Sequence, residues 1–243
     1  MSALLRAELL KLRTTRTFVS IAGVTLVLSL LATVLQVVLQ HHLAESDVRA
    51  IFYSDFTPLF MALLGIMGMA GEWRHRTITS TVLAAPRRLN LLAAKTLSYA
   101  VAGAVLSLFV TVLVMIVGSV LLSALDKPTL PISDLADLLW RNVLIAALLG
   151  AFGVGIGGIV RNQVVALIGL LLMSFVVEFT LFGVGAESVA RFGPTRGAPA
   201  GIIGLTDSEQ HFLAPGIAIL VMLGWVALAF AATAVTLRRR DLV

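Results

Sequence analysis

The sequence predicts an all-α integral membrane protein with six transmembrane helices, and three observations support this fold class. Hydrophobic residues make up 59% of the 243 residues and charged residues only 13%, whereas soluble domains carry about 25% charged residues. Uncharged stretches near the length of about 20 residues that a helix needs to cross a bilayer recur along the chain. Lys and Arg concentrate at the two termini and in the link 71–95, a bias typical of multi-pass membrane proteins.

The six predicted spans account for nearly the whole chain, as one transmembrane domain over 1–243. The second is the hardest to delimit, because its charge-free part, 56–71, has only 16 residues and the span therefore begins before Asp55 or is short. A polar link, 41–55, precedes it. A Gly- and Pro-rich link, 184–214, precedes the last span, and part of it is expected to dip back into the membrane. The predicted spans are about 18–38, 53–71, 97–122, 142–160, 164–183 and 215–237.

The distribution of positive charge predicts that both termini lie in the cytoplasm. When both termini, the 71–95 link and Arg161 are placed on one side, that side holds thirteen of the 18 Lys and Arg residues against three acids. The opposite side holds five Lys and Arg residues against nine acids, Asp55 among them. The positive-inside rule places the more basic side in the cytoplasm. Membrane orientation thus explains the net charge of +5, and no nucleic-acid partner is expected.

The N-terminal segment, SALLRAELLKLRTTR, is predicted to form an interfacial helix. On a helical wheel Leu5, Leu9 and Leu12 form a narrow apolar stripe with charged residues on either side. Such a helix lies on the inner leaflet of the bilayer, with its Lys and Arg side chains reaching the headgroups. The alternative is a basic flank that merely precedes the first span.

The most basic internal stretch, GEWRHRTITSTVLAAPRRLNLLAAK at 71–95, is predicted to contact a cytosolic partner. A cationic cluster that includes Arg74 and Arg76 follows Glu72, and the run 77–85 is long enough for about two turns of helix. Pro86 ends that run, because proline lacks the N–H and disfavours helix at the residue before it. A solvated positive loop is the alternative.

One face of the short helix 77–85 suits insertion into a protein cleft. This face consists of Ile78, Thr81, Val82 and Ala85. The arginines on both sides of it, up to Arg88, suit the acidic rim of such a cleft. Because the chain contains no G-x-x-x-x-G-K-[ST] motif to cradle nucleotide phosphates, it has no nucleotide site of its own, and a partner would have to supply the free energy.

A glycine motif in the fourth span mimics a dinucleotide-binding fingerprint. Gly153, Gly155 and Gly158 match G-x-G-x-x-G, but a charge-free span leaves no room for the strand that the fingerprint requires. Gly153 and Gly157 are instead predicted to let two helices pack closely, as small-x-x-x-small pairs do in lipid. The four histidines lack metal-site spacing and no nucleophile motif is present, so neither a metal site nor a catalytic residue is expected.

Glu178 is the one charge that the sequence places well inside a span. An ionisable group at that depth costs about 2–3 kcal/mol on insertion scales, so the side chain is expected to be sheltered from lipid. Two roles fit this position. The first is a substrate or proton contact on a transport pathway, and the second is a structural tie between two helices.

The whole chain resembles the permease subunit of type-2 ATP-binding-cassette exporters, particularly those of actinobacteria. The resemblance is carried by ELLKLRTTRT near the N-terminus, the loop GEWRHRTITSTVLAAPRR with AAK behind it, IVRNQVVALIGLLL, FVVE in the fifth span and the closing LRRRDL. The family's loop carries a Glu, a Gly-Thr pair, a Pro, an Arg and a final Lys. The corresponding residues in this sequence are Glu72, Arg76 and Thr77, Pro86, Arg88 and Lys95. Arg76 departs from the pattern, because the family has glycine there.

The resemblance implies a multi-pass permease of the bacterial cytoplasmic membrane that dimerises, with itself or with a related permease, and binds two cytosolic ATPase subunits. ATP and Mg²⁺ would be held by those partners, and this chain would need no cofactor. The helix of the loop would dock in a cleft of the ATPase, and the N-terminal helix 4–14 would lie along the inner leaflet. The ATPase-coupling residues would be Glu72, Arg74, Arg76, Thr77, Ile78, Thr81, Val82, Ala85, Pro86 and Arg88.

Two classes of function therefore follow from the sequence. The first is an exporter permease that moves a hydrophobic or amphipathic compound, such as a drug, antibiotic, peptide or lipid, by alternating access. The second is a proton-coupled secondary transporter that uses Glu178, although the two halves of the chain show no convincing internal repeat of the kind such carriers have.

Overall fold

The computed structural model describes residues 2–40, 45–53, 55–74, 88–205 and 212–239. Across these residues the chain is helical without any β-strand, and six stretches are long and apolar enough to cross a bilayer. This confirms the predicted all-α class with six spans. The helix expected at 77–85 lies outside the described residues, and so do Arg76 and Pro86 on either side of it.

The described part of the chain forms the following helices, in chain order. They are α1 (Ser2–Thr14), α2 (Arg16–Leu39), α3 (Glu45–Phe52), α4 (Thr57–Arg74), α5 (Arg88–Ala124), α6 (Ile132–Val160), α7 (Gln163–Leu172), a π-helical turn (Met173–Val177), α8 (Glu178–Gly183), α9 (Glu187–Ala190), α10 (Gly197–Ile203) and α11 (Pro215–Arg239).

Two of the spanning helices are longer than the charge pattern predicts, because polar residues at their ends remain helical. The 37 residues of α5 begin at Arg88 rather than at 97 and extend about 55 Å at a rise of 1.5 Å per residue. The helix α6 begins at Ile132 rather than at 142, and an ion pair of 2.9 Å between Asp137 and Arg141 spans one of its early turns. A charged residue therefore marks the end of the apolar stretch and not the end of the helix.

The helix α6 lies at the centre of the bundle, because its glycines let the neighbouring helices approach closely. A Cβ added at Gly153 would lie 2.1 Å from the carbonyl oxygen of Ala62 in α4, and a Cβ at Gly157 would lie 2.8 Å from that of Ile66. Other glycines of α6 face α5 and α11 in the same way. They are Gly150, which lies against Tyr99 of α5, and Gly155 and Gly158, which lie against Ala229 and Thr233 of α11. The motif that mimics a nucleotide fingerprint thus lines helix contacts.

The second span is interrupted, and a buried acid lies in the interruption. The helix α3 ends at Phe52, α4 begins at Thr57, and Asp55 between them is 7% exposed. Its carboxylate accepts hydrogen bonds from Ser29, near the middle of α2, and at 2.8 Å from Thr111, in the central part of α5. Asp55 therefore lies inside the bundle, at the level of Ser29 in α2 and Thr111 in α5.

The sequence places Asp55 at the boundary between the polar link 41–55 and the second span, and the charge count assigns it to the outer side. The structure buries it inside the bundle, and this burial has a physical cause. Four hydroxyl groups supply the hydrogen bonds that water would give an exposed carboxylate, and a fully satisfied acid can be buried where an unsatisfied one cannot. The donors are Ser29, Thr57, Ser107 and Thr111. Three of them lie within apolar spans, where scattered Ser and Thr residues hardly change the hydropathy.

The fifth span is also irregular. The helix α7 passes into the π-helical turn, where the backbone N–H of Glu178 donates to the carbonyl oxygen of Met173 five residues earlier. After α8 the chain forms α9 and then α10, all seven residues of which are buried. The helix α10 packs against α6 and α11, so this part of the link between the fifth and sixth spans lies inside the bundle.

Candidate functional site

Helix ends from α1, α4, α5, α6 and α11 meet at one end of the bundle, which we call the α1 end. Lys11 of α1 lies 2.9 Å from Glu72 near the end of α4. Arg161, which follows α6, donates a hydrogen bond of 2.9 Å to the carbonyl oxygen of Thr236 in the last turns of α11. Because α4 leads into the segment 75–87 and α5 leads out of it, the α1 end holds both attachments of the predicted coupling loop.

A cluster of four charged side chains joins these helices at the α1 end. Nζ of Lys95 lies 2.8 Å from Oε2 of Glu8 and 2.9 Å from Oε1 of Glu72. The same Oε1 of Glu72 accepts a second hydrogen bond of 2.9 Å from Nζ of Lys11. We call Glu8, Lys11, Glu72 and Lys95 the four-charge cluster. Two carboxylates face two ammonium groups in it, so the cluster is electrically balanced.

Most of the four-charge cluster is buried. The side chains of Lys95 and Glu72 are 1% and 3% exposed and that of Glu8 is 9% exposed, whereas the Lys11 side chain is 57% exposed. A buried ion pair adds little net stability, but removal of one partner leaves an uncompensated buried charge and costs about 3–5 kcal/mol. The cluster therefore acts mainly as an obligatory connection between α1, α4 and α5.

Apolar side chains of the same three helices pack together near the four-charge cluster. Leu12 of α1 packs in a buried group with Leu64 and Met69 of α4 and with Leu92 and Tyr99 of α5. Since Leu12 follows Glu8 by one helical turn, α1 presents an acid and an apolar side chain to the bundle on the same face. The helix α1 is thus held by packing as well as by charge.

The residues predicted from the sequence fall into three groups at this end. Glu72 lies in the cluster, Arg74 is exposed at the end of α4, and the backbone of Arg88 begins α5. Of the leucines predicted to form the stripe of α1, Leu12 is buried, and the other two, Leu5 and Leu9, are partly buried. The remaining coupling residues lie outside the described part of the chain. They are Arg76, Thr77, Ile78, Thr81, Val82, Ala85 and Pro86.

Sequence reasoning misses Glu8 as a member of the site. The sequence contains one weak indication of this role. Glu8 is the only acid in the N-terminal segment SALLRAELLKLRTTR, whose other charged residues are basic, and it precedes the apolar Leu12 by four positions. Lys95 stands out in the sequence only as the last residue of the family's loop pattern. Nothing in the spacing reveals that Lys95 binds both Glu8 and Glu72, because 87 residues separate Glu8 from Lys95 along the chain.

Glu178 forms a second polar site, within the fifth span. Its side chain is fully buried, and both of its carboxylate oxygens accept hydrogen bonds from the turn before α10. Oε1 accepts from the backbone N–H of Thr195 at 2.9 Å and from its hydroxyl at 2.6 Å. Oε2 accepts from the backbone N–H groups of Arg196 at 2.6 Å and Gly197 at 3.0 Å. The carboxylate therefore caps the start of α10.

The two ends of the buried helix α10 carry opposite charges. Glu178 binds the free N–H groups at its beginning, and Nη1 of Arg141 in α6 donates a hydrogen bond of 2.7 Å to the carbonyl oxygen of Ile202 at its end. An acid at the N-terminus and a base at the C-terminus of a helix both favour its dipole, and they satisfy backbone groups that would otherwise be unpaired in a buried place. Glu178 and Arg141 thus fix α10 between α6 and α8.

Comparison of the chain with models of known protein families and with curated proteins finds no match.

Proposed function

We propose that the chain is the permease subunit of an ATP-driven exporter of the ATP-binding-cassette type. Two permeases, identical or related, form the translocation pathway in the bacterial cytoplasmic membrane with their termini in the cytoplasm. Two copies of a cytosolic ATPase bind to them and hold ATP and Mg²⁺. The substrate is a hydrophobic or amphipathic compound that moves outward by alternating access.

The observation that carries the proposal is the four-charge cluster. Lys95 of α5 binds Glu8 of α1 and Glu72 of α4 at 2.8 and 2.9 Å, so both helices that flank the segment 75–87 are fastened to each other and to the N-terminal helix. A solvated loop needs no such attachment, and buried charges are costly to keep. A segment that receives a mechanical input from a partner does need it.

In the proposed mechanism the segment 77–85 docks in the ATPase and moves when the ATPase dimer closes on ATP. The four-charge cluster carries this movement to α1, α4 and α5 together. Since α4 packs closely on the glycines of α6, the inner helices shift as packed units and do not bend separately, as expected for close-packed interfaces. The pathway between the two permeases then opens to the other side of the membrane.

The alternative of a proton-coupled transporter that uses Glu178 has less support. The four hydrogen bonds that the carboxylate accepts all come from residues 195–197 of the same chain. A proton or a substrate would have to displace these donors and uncap α10. Such a place suits a structural tie better than a site that is loaded and unloaded in each cycle.

Affinity purification of the intact chain from a cell that encodes it, in mild detergent, tests the proposal. We expect an ATPase with a Walker motif to co-purify in equal copy number and to hydrolyse ATP in the complex. The chain alone, purified after expression in a host that lacks this ATPase, should hydrolyse none. Purification of the intact chain without any ATP-binding-cassette protein would contradict the proposal.

A further inference from the structure

Three irregular backbone segments meet around one cavity in the part of the bundle away from the α1 end. They are the break between α3 and α4, the π-helical turn, and the turn that leads into α10. Non-helical backbone at membrane depth is tolerated where it is buried in protein or lines a cavity, and broken spans often form binding sites. Single π-helical turns are also frequent at functional sites. These irregularities are costly, and their convergence indicates a binding function.

The cavity is open on one side and has a volume of about 410 Å³, which is within the size range of small-molecule sites, about 300–1,000 Å³. Aromatic side chains from four parts of the chain form much of its wall. They are Tyr53, Phe56, Phe175, Phe179 and Phe212. Such a wall suits an apolar chain or ring system. An apolar wall that carries a few polar groups is the lining expected of a site for an amphipathic ligand.

Two side chains that line the cavity have a buried polar atom without a hydrogen-bond partner, Ser174 and Arg196, and of the two Arg196 carries a charge. Its Nε is buried and donates no hydrogen bond, and its guanidinium forms no ion pair with any residue that the structure describes. The guanidinium lies instead 5.4 Å from the ring centroid of Phe179 and 5.7 Å from that of Phe182. The Arg196 side chain as a whole is partly exposed. An arginine has five N–H donors in a planar fork that matches carboxylate and phosphate oxygens.

The acid in the same wall does not serve as that partner. Both carboxylate oxygens of Asp55 already accept hydrogen bonds from hydroxyl groups of α2, α4 and α5. Both carboxylate oxygens of Glu178 likewise already accept hydrogen bonds. The donors are backbone N–H groups, including that of Arg196 itself, and the Thr195 hydroxyl. Among the lining residues that the structure describes, the charge left available is therefore positive.

We propose that this cavity binds the anionic headgroup of an amphipathic molecule, a carboxylate, sulfate or phosphate joined to an apolar chain. Arg196 binds the anion through its free N–H groups, and the aromatic wall receives the apolar part. If the chain is an exporter permease, this site defines the class of compound that it accepts from the membrane. That last step rests on the proposed function, whereas the binding itself does not.

Binding of three radiolabelled compounds with the same C18 chain to the purified protein in phosphatidylcholine nanodiscs tests the site. Octadecyl sulfate is anionic, octadecanol is neutral and octadecyltrimethylammonium is cationic. After subtraction of binding to empty nanodiscs, we expect octadecyl sulfate to bind at least about tenfold more tightly than the other two, the factor typical of one hydrogen bond to a charged group. Equal affinity for the three headgroups would overturn the proposal.

Two variants of Arg196 test whether this side chain causes the preference for the anionic headgroup. Arg196→Gln should remove the preference for the anion, and Arg196→Lys, which keeps the charge, should retain part of it. Arg191→Gln is the matched control, because Arg191 belongs to the same connection and stacks on Phe192 at 5.2 Å but does not line the cavity. Unchanged anion preference in a monodisperse Arg196→Gln protein, or equal loss in the Arg191→Gln protein, would refute the assignment to Arg196.

A further experiment distinguishes two possible anionic ligands, a lipid of the bilayer and a smaller amphiphile. Nanodiscs that contain phosphatidylglycerol should suppress octadecyl sulfate binding if an anionic lipid of the bilayer occupies the site, and should leave it unchanged if only smaller amphiphiles fit. Either result supports an anion site. The assay contains neither ATP nor ATPase, so its failure would leave the permease proposal standing, and failure to find an ATPase would not affect it.

Discussion

Lys95 is the residue on which the four-charge cluster depends most, because it is the only base that contacts both buried acids among the residues that the structure describes. Replacement of Lys95 by Met should leave Glu8 and Glu72 without their shared partner and destabilise the fold by about 3–5 kcal/mol. The expected readouts are a lower thermal unfolding midpoint in detergent and faster trypsin cleavage within α1. An unchanged midpoint together with unchanged cleavage would show that the cluster does not hold α1.

Lys11 offers a matched control within the same cluster. Its side chain is 57% exposed, so solvent screens its attraction to Glu72. Lys11→Met should therefore cost no more than about 1 kcal/mol, as exposed ion pairs do. The triple variant Glu8→Gln, Glu72→Gln and Lys95→Met removes every buried charge of the cluster, and it should recover much of the stability that Lys95→Met loses.

Glu178 is expected to behave as a structural residue. A glutamine there keeps one oxygen for Thr195, but its NH₂ group would face the N–H groups of Arg196 and Gly197, which are donors as well. An unpaired buried donor costs about 1–3 kcal/mol, so Glu178→Gln should lower the amount of folded protein in the membrane. Normal abundance combined with lost transport would instead support the pathway role.

The sequence predicts some of the individual residues in the polar sites and misses others, and the reasons are physical. Glu178 is a lone charge in an apolar span, so its shelter is predictable, whereas its donors come from a turn that begins 17 residues further along the chain. Glu72 and Lys95 stand out in the loop pattern. The position of Asp55 is not predictable in this way, because hydropathy does not register the hydroxyl groups that surround it.

Among the helices, the contact between α4 and α6 is expected to be the least tolerant of added volume. A Cβ at Gly153 would lie 2.1 Å from a backbone oxygen of α4, so the helices must separate to admit it. Gly153→Ala should lower stability by about 1–3 kcal/mol, as overpacking does. Gly169 in α7 is the control, because a Cβ there meets nothing within 4 Å. Equal unfolding midpoints for Gly153→Ala and Gly169→Ala would contradict this packing.

The existence of the spanning helices is predictable from the sequence, and their irregularities are not. A run of about 20 apolar residues reports a span reliably because the cost of exposing charge to lipid is large. The break at Asp55, the π-helical turn and the buried helix α10 depend on hydrogen bonds between distant segments. Such bonds leave no periodic signal in the local sequence.

The orientation of the whole molecule is predicted from the charge bias alone and can be checked directly, since the chain has no cysteine. Single cysteines introduced at Ser46 and Ser133 should react with a membrane-impermeant maleimide added to intact cells. A cysteine at Ser80 should react only after the membrane is permeabilised. Labelling of Ser80→Cys from outside would reverse the predicted topology.

The central claim is that the segment 71–95 couples the permease to an ATPase, and one substitution tests it most directly. Val82 belongs to the predicted apolar face of the helix 77–85, and Val82→Asp would place an unpaired charge in the docked interface. Buried apolar contacts hold a complex, whereas rim charges mainly steer its formation. Arg74→Ala, at the exposed end of α4, should therefore only weaken ATPase binding, and more so at high salt.

The measurement is the amount of ATPase that co-purifies with each variant, together with ATP hydrolysis by the complex in proteoliposomes. We expect the Val82→Asp protein to accumulate in the membrane as the wild type does, but to lose the ATPase or to leave its hydrolysis uncoupled from the permease. A Val82→Asp protein that retains full ATPase binding and full coupling would show that the segment 71–95 is only a basic link between two spans, and would contradict the proposed coupling.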